Sequence, residues 1–460
     1  MLKLTGDQHS MPYYVLIRIL PKRLLRRLEQ RPNLVKILNN IGWLFFDKLF
    51  RIGVGLFVGV WVARYLGPEQ FGQLNYVIAF VGLFGSIAGL GLNGIVVRDI
   101  ITNPEKTNTT MGTAFILLVL AALFSIVLSV VTIAWLRPND NTTLLMVTLL
   151  SFGLLFRSSE VTAYWFESQL QSRYTILVEN SIFLVMATLK ISMIINKAPL
   201  ILFVWISLIE AILVSIGLIA IYHRKTKQLI NWNISIARAK AILSESWPLA
   251  LSGITIMIYM RIDQIMLGEM IGNDAVGIYS AATKISEMWY FVPMAIVTSL
   301  FPSIISAKAK DEKTYNNYMQ KIYSILFITS FVIALIIQIS SDWIIRNIYG
   351  GNFQGAAELL KIHIWTGIFV SMGIASSNWY LSEGLQKLAF YRTLLGAVVN
   401  ITGNYIFIPL YGATGAALST LISQISAAYL FDLTHSKTRV AFVMKSASFL
   451  LAGLIKRNLK

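Results

Sequence analysis

Hydrophobic residues fill this chain in stretches of about twenty, each closed by a short cluster of Gly, Pro, Asn or charged residues. That length of helix crosses a bilayer's hydrocarbon core, so the pattern predicts spans near 41–62, 72–92, 111–135, 143–166, 174–195 and 199–221. A second set follows near 246–267, 277–301, 318–339, 356–380, 386–408 and 412–432. Clusters such as Leu66-Gly67-Pro68-Glu69 and Arg137-Pro138-Asn139-Asp140 supply the turns. The last apolar stretch, Val440 to Ile455, is interrupted by Lys445 and reads as an amphipathic tail on the membrane surface, or else as a thirteenth span. The predicted fold is therefore all-α, with about twelve transmembrane helices in two six-helix bundles, 41–222 and 246–435, around a central cavity. A basic amphipathic N-terminal segment (1–40), a basic linker (223–245) and a basic tail (436–460) complete the chain, all three on the cytoplasmic side.

Composition strengthens the membrane assignment: 56% of residues are hydrophobic, 13% are charged, and the mean hydropathy is +0.66, which excludes an ordinary soluble domain. With no cysteine, disulfides, iron–sulfur clusters and thiolate metal sites are excluded. His9, His223, His363 and His435 show no ligand spacing, so neither a metal nor a cofactor is expected. The basic N-terminus lacks a clean apolar core and cleavage site and is not read as a cleavable signal. With both termini inside, the outer loops hold only Arg64, Arg137, Lys197 and Arg346 of the 39 Lys and Arg residues. Positive-inside bias thus accounts for the net charge of +17, and no nucleic-acid partner is implied. Arg18–Lys36 and Arg224–Lys240 have the character of segments that rest on anionic headgroups.

Gly67-Pro-Glu-Gln-Phe-Gly72-Gln-Leu follows the first span, and Gly272-Asn-Asp-Ala-Val-Gly277-Ile-Tyr follows the seventh, 205 residues later. Both glycines, an acidic position and an apolar position match. Because the copies are separated by six spans, they enter the membrane from the same side, as parallel repeats do.

Charges inside the apolar stretches carry the candidate chemistry. A charge at the centre of a lipid-facing helix costs about 2.5–3.5 kcal/mol, yet Asp47, Lys48 and Arg51 share one face of the first span. These side chains must face something wet or polar, which points to a transporter with a hydrated cavity. Arg51 reads as a cationic anchor for an anionic substrate with Asp47 holding it, or as half of a buried ion pair, although Lys48 leaves the set one cation in excess. Lys284 and Glu287, one turn apart in the eighth span, suit substrate binding or exchange of a coupling proton, or pair with each other. Arg261 and Asp263 lie near the outer end of the seventh span. Glu179, beside Asn180 and eleven residues before Lys190, is a candidate protonatable site. Arg157 and Glu160 read as structural, Glu210 and Lys361 are unassigned, and Asn400 and Asn404 share a face suited to substrate contact or to hydrogen bonding between helices. Gly55-x-x-x-Gly59 and Gly85-x-x-x-Gly89 read as close-packing sites, and Trp43, Trp61, Trp135, Trp165 and Trp343 as interfacial belts.

Arg261-Ile-Asp263-Gln264-Ile-Met-Leu-Gly268 and the run from Val276-Gly-Ile-Tyr-Ser-Ala-Ala282 to Glu287-Met-Trp-Tyr-Phe-Val-Pro293 closely resemble the polysaccharide biosynthesis flippases (Wzx type) of the MOP exporter superfamily. Ala63-Arg-Tyr-Leu-Gly67-Pro-Glu-Gln-Phe-Gly72, Tyr349-Gly350-Gly-Asn-Phe353 and Asn404-Tyr-Ile-Phe-Ile-Pro409-Leu-Tyr-Gly412-Ala-Thr-Gly415 extend the resemblance over residues 41–435. It implies a carrier that moves polyprenyl-pyrophosphate-linked oligosaccharide, such as an O-antigen or exopolysaccharide unit, across the plasma (inner) membrane by alternating access with ion coupling. Its partners would be that lipid-linked oligosaccharide, membrane lipids and other polysaccharide assembly proteins. On this resemblance Lys48, Arg51 and Lys284 would meet pyrophosphate or acidic sugars, and Asp47, Asp263 and Glu287 would couple the ion. A multidrug or cation exporter of the same superfamily is the alternative and would favour an acidic, aromatic pocket. A membrane polymerase or glycosyltransferase would need a long outer loop with clustered acids, and every predicted outer loop is short, so an enzyme is not expected. A non-transporting scaffold for glycan assembly would leave the charges in the spans dispensable.

Overall fold

A computed structural model describes residues 32–226 and 232–450. Most of the N-terminal segment 1–40, part of the linker and the end of the tail lie outside the described residues, as does most of Arg18–Lys36. The helices are α1 (Pro32–Gly89), α2 (Asn93–Thr102), α3 (Thr107–Leu136), α4 (Asn141–Phe156), α5 (Glu160–Ser168), α6 (Arg173–Ile195), α7 (Leu200–Thr226) and α8 (Ile236–Met270). They continue as α9 (Asn273–Glu287), α10 (Phe291–Lys308), α11 (Glu312–Ile348), α12 (Gly355–His363), α13 (Thr366–Ser382), α14 (Gln386–Tyr411), α15 (Ala413–Ala428) and α16 (Arg439–Phe449). No strand occurs among the described residues. An all-helical fold meets what hydrocarbon requires, because each helix satisfies its backbone N–H and C=O groups within its own segment.

Among the described residues, ten helical stretches are long and apolar enough to cross a membrane. The first, Asn39–Thr102, contains two of the expected spans. The expected span 277–301 falls on α9 and α10, which a single 3-10 turn at Met288–Tyr290 separates. Pro293, at the third position of α10, lacks the N–H that would carry α9 onward without a break. The twelve expected crossings are thereby accounted for. Local chemistry fixes several ends. Asp140 caps α4 by accepting the Thr143 N–H at 2.9 Å and the Thr143 hydroxyl at 2.6 Å, and Asp311 caps α11 through Thr314 in the same way. Partial burial works against the Asp140 charge, yet the bonds from Thr143 hold its carboxyl below the usual value.

Two compact units emerge from the packing: the described part of Met1–Gly59 with Phe84–Leu251, and Val60–Leu83 with the described part of Ser252–Lys460. The first has a core around Leu92, Val96, Met111, Val161 and Phe166. The second has one around Tyr315, Met319, Tyr323, Met372 and Tyr380.

Three readings of the sequence change. Gly59 has open space beside it and Gly55 meets only the ring edge of Phe183 at 3.9 Å, so this pair does not bring helices together. Close backbone approach occurs instead at Gly403, where an added methyl would overlap Ser419, and at Gly415, where it would overlap the carbonyl of Phe407. These two glycines seat α14 against α15. Trp165 does not sit in a belt: it packs edge-on against Tyr222, 5.3 Å between rings, and Tyr222 in turn contacts Trp232 in the linker. The described end of that linker folds onto the first unit, where Arg238 pairs with the buried Asp99, itself 2.5 Å from the Thr110 hydroxyl. Finally, α16 is docked rather than spread on a surface. At eleven residues it is too short to cross, and Lys445 is completely buried.

Candidate functional site

In the first unit, α1 and α6 meet at a charge cluster. Arg51 Nε lies 2.8 Å from Asp47 Oδ1, one turn back on α1, and its Nη2 lies 2.8 Å from Glu179 Oε2 on α6. The guanidinium also stands 5.6 Å from the centre of the Phe183 ring, one turn beyond Glu179. All three charged side chains are between a fifth and about a third exposed, and Lys48 is exposed on the neighbouring face. The single spare cation inferred from the span alone is balanced, because Glu179 supplies a second carboxylate from another helix. Asn180, next to Glu179, is buried with both amide atoms lacking a protein partner. Farther along α6, Lys190 lies 3.6 Å from Glu210 on α7 rather than reaching toward Glu179. Arg157 and Glu160 pair at 2.8 Å, as a structural role requires.

The second unit holds two further groupings. Arg261 Nη2 reaches Glu287 Oε2 at 3.4 Å, both half-buried, so Glu287 has a cation on α8. Lys284 stands 4.4 Å from the centre of the Phe71 ring, a cation–π arrangement. Asp263, two residues from Arg261, is buried in a polar network. Its Oδ2 accepts from Tyr279 at 2.7 Å and from Thr420 at 2.8 Å, and its Oδ1 from Asn404 Nδ2 at 2.6 Å. Asn400 extends the network, 3.5 Å from Asn404 through its side-chain oxygen and bonded through its backbone carbonyl to Ser419. Asn400 and Asn404 are fully buried, and Asn404 Oδ1 has no protein donor. These asparagines therefore connect helices, the reading that sequence gave equal standing with substrate contact. Lys361, unassigned from sequence, bridges Asp342 and Glu358 at 2.9 Å each.

Sequence reasoning missed a third grouping. Lys445 Nζ on α16 donates to Asp432 Oδ2 and to the Ala428 carbonyl, both at 2.6 Å, while Tyr380 donates to Asp432 Oδ1 at 2.7 Å. Burial pushes the Lys445 ammonium down to about 8, against the opposing pull of Asp432. Arg392, also buried, bonds Ser377 at 2.9 Å and stands over the Tyr380 ring. The only sequence signal was that Lys445 interrupts an apolar stretch. Its acid lies thirteen residues earlier, across a turn no periodicity connects.

Comparison with known proteins places these features among transporters. The model of the family described as polysaccharide biosynthesis protein matches residues 37–308, and the MatE model matches residues 248–406. A "Probable flippase" of Haloferax volcanii is 28% identical over 42% of this chain. The chain spans only 41% of that relative's length, and 44% of a second archaeal membrane protein, from Methanocaldococcus jannaschii. A capsular polysaccharide biosynthesis protein of Staphylococcus aureus is 21% identical over 85% of this chain and 97% of its own length. Among solved structures, the lipid II flippase MurJ in an inward closed conformation superposes with a TM-score of 0.69 at 16% identity, covering 91% of this chain and 93% of that one. That likeness establishes the fold, and the chain is a multi-pass membrane protein of this architecture.

Proposed function

The chain belongs to the family of polysaccharide biosynthesis proteins, and from that membership we propose that it is a flippase for polyprenyl-pyrophosphate-linked oligosaccharide, working by alternating access in the plasma (inner) membrane with both termini cytoplasmic. The cargo headgroup would cross shielded by the helices while the polyprenyl tail stays in lipid. A sugar chain entering hydrocarbon would lose its hydrogen bonds to water, a penalty the tail does not face. The observation that carries the reading is the Arg51 cluster: ionised groups held partly open within helices otherwise apolar enough to span a membrane. A guanidinium so placed can exchange a carboxylate for a phosphate oxygen in the same fork geometry. Lys48, Lys284 and Arg261 are the further cations proposed to meet the headgroup. The names carried by the Haloferax and Staphylococcus relatives support a glycan cargo and transport rather than enzymatic chemistry. The match to the MatE model keeps cation export as the rival.

Ion coupling is assigned to Asp263, Glu287, Asp47 and Glu179. Asp263 is the strongest of these, because Asn404 Oδ1 stands in the same network as a buried acceptor without a donor and would suit a proton or a small monovalent cation. In a strain lacking the protein, lipid-linked oligosaccharide should accumulate in the inner leaflet, and purified protein in proteoliposomes should equilibrate it between leaflets. Unchanged leaflet distribution in both assays would refute the reading, and uptake of organic cations would favour the exporter. Asp263→Asn keeps the shape of the side chain and removes its charge. It should leave folding intact and abolish the dependence of the flipping rate on an imposed ion gradient.

A further inference from the structure

We propose that a file of internal water runs through the second unit along α14, from Asp263 to Arg392, and that Arg392 is the fixed charge that stops the coupling cation escaping along it. This rests on the ion-coupling reading of Asp263 above.

The file is drawn by polar atoms that lack partners. Arg392, Gly396, Asn400 and Asn404 recur at every fourth residue of α14, and all four are buried. Arg392 Nη1, Asn400 Nδ2 and Asn404 Oδ1 have no hydrogen-bond partner. Tyr259 of α8, also buried, supplies a fourth such atom, its hydroxyl oxygen. A methyl added at Gly396 would lie 3.0 Å from Tyr259 Cζ, the carbon that bears this hydroxyl. The phenol end therefore rests on the turn between Arg392 and Asn400, where glycine leaves room for it. The unpartnered atoms thus follow one stripe for about 18 Å, the rise of the helix from Arg392 to Asn404. Buried polar atoms are rarely left without partners, and polar gaps in an interior hold water where apolar ones stay dry.

The two ends carry opposite charges that no neighbour balances. Among the described residues, Asp263 is bonded by neutral donors alone, Tyr279, Thr420 and Asn404. Arg392 bonds only the Ser377 hydroxyl at 2.9 Å and the Gly373 carbonyl at 3.4 Å, and stands over the Tyr380 ring. Asp432, reached through Tyr380, is already paired with Lys445. Ser377 is exposed, so the guanidinium sits at a mouth of the file rather than in its middle. In the topology proposed above, that mouth faces the cytoplasm.

A guanidinium keeps its proton at any working pH, so this charge is permanent. Water passes such a group, whereas a cation meets repulsion that low-dielectric surroundings strengthen. Arg392 is therefore suited to seal a wet file that a carboxylate opens to cations. With the file sealed, an ion leaves Asp263 only when the carrier changes state, which is what coupling requires.

Proteoliposomes holding no cargo test the seal. With a sodium or proton gradient and a membrane potential imposed, the parent should be tight, and Arg392→Gln should leak the cation at least about tenfold faster. Arg392→Lys, which keeps the charge, should stay tight, and adding Asp263→Asn to Arg392→Gln should stop the leak. A tight Arg392→Gln protein, equal leaks from the Gln and Lys variants, or a leak that survives Asp263→Asn would overturn the proposal. Hydroxyl radicals generated by X-rays from bound water probe the file in the parent, even if the variants fail to fold. Tyr259 should be oxidised about tenfold faster than Tyr323, which is buried too but bonded to Ser376. Equal protection of the two tyrosines would overturn the proposal as well. None of these assays contains oligosaccharide, so they decide the file apart from the coupling reading: gradient-driven flipping that survives Asp263→Asn removes that reading and leaves the file standing.

Discussion

Lys445→Met should lower the stability of the detergent-solubilised protein by about 3–5 kcal/mol, the cost of leaving a buried charge without its partner. Asp432 and Lys445 are both completely inaccessible, so once the ammonium is gone no water can take its place beside the carboxylate. The Tyr380 hydroxyl remains as a donor to Asp432, but one neutral hydrogen bond does not offset the desolvation of a full charge. Pairing the change with Asp432→Asn should recover most of the loss, because a neutral, hydrogen-bonded pair needs no compensation. Thermal unfolding of the two variants beside the parent reads this directly. Near-equal instability of the single and double variants would show that packing of α16, and not charge pairing, fixes the tail.

What the sequence made legible follows from what helical periodicity encodes. Span positions were readable because each span is a run of apolar residues, whereas the break before Pro293 was not, since Pro248 and Pro409 lie inside unbroken helices. The alignment of Gly67–Gly72 with Gly272–Gly277 was readable as a repeat. That the two copies touch each other was not, since no rule of local spacing relates residues 205 positions apart. Charge pairs divide in the same way. Asp47 with Arg51 lies within one turn and is visible on a helical wheel. Glu179 with Arg51, Lys190 with Glu210 and Arg261 with Glu287 depend on which helices are neighbours. This is why the first span alone showed a cation in excess, with Lys48 beside Arg51, and why the sequence left the partner of Glu287 open. The tail was misread for a related reason: a lysine in an apolar stretch signals solvent unless a buried acid is known to await it.

On the proposed flippase function, Arg51→Ala should reduce flipping of lipid-linked oligosaccharide about 10- to 100-fold, the loss expected for one or two charge-assisted hydrogen bonds to a phosphate. The side chain has two claims on it: it neutralises Asp47 and Glu179, and in the proposed mechanism it holds the cargo headgroup. Removing it alone confounds these roles, because two carboxylates left close together disfavour each other's ionisation whatever the cargo does. The triple change Asp47→Asn, Arg51→Gln, Glu179→Gln separates them. It removes every charge of the cluster while keeping side-chain lengths similar, so a purely structural cluster would be replaced by neutral hydrogen bonds and transport would return toward the parent rate. If Arg51 grips the pyrophosphate, the triple variant should insert and unfold like the parent yet remain as slow as Arg51→Ala. Leaflet-resolved assay of the two variants in proteoliposomes distinguishes the cases. Lys in place of Arg51 should then restore only part of the rate, since an ammonium supplies the charge without the planar fork that meets carboxylate and phosphate alike.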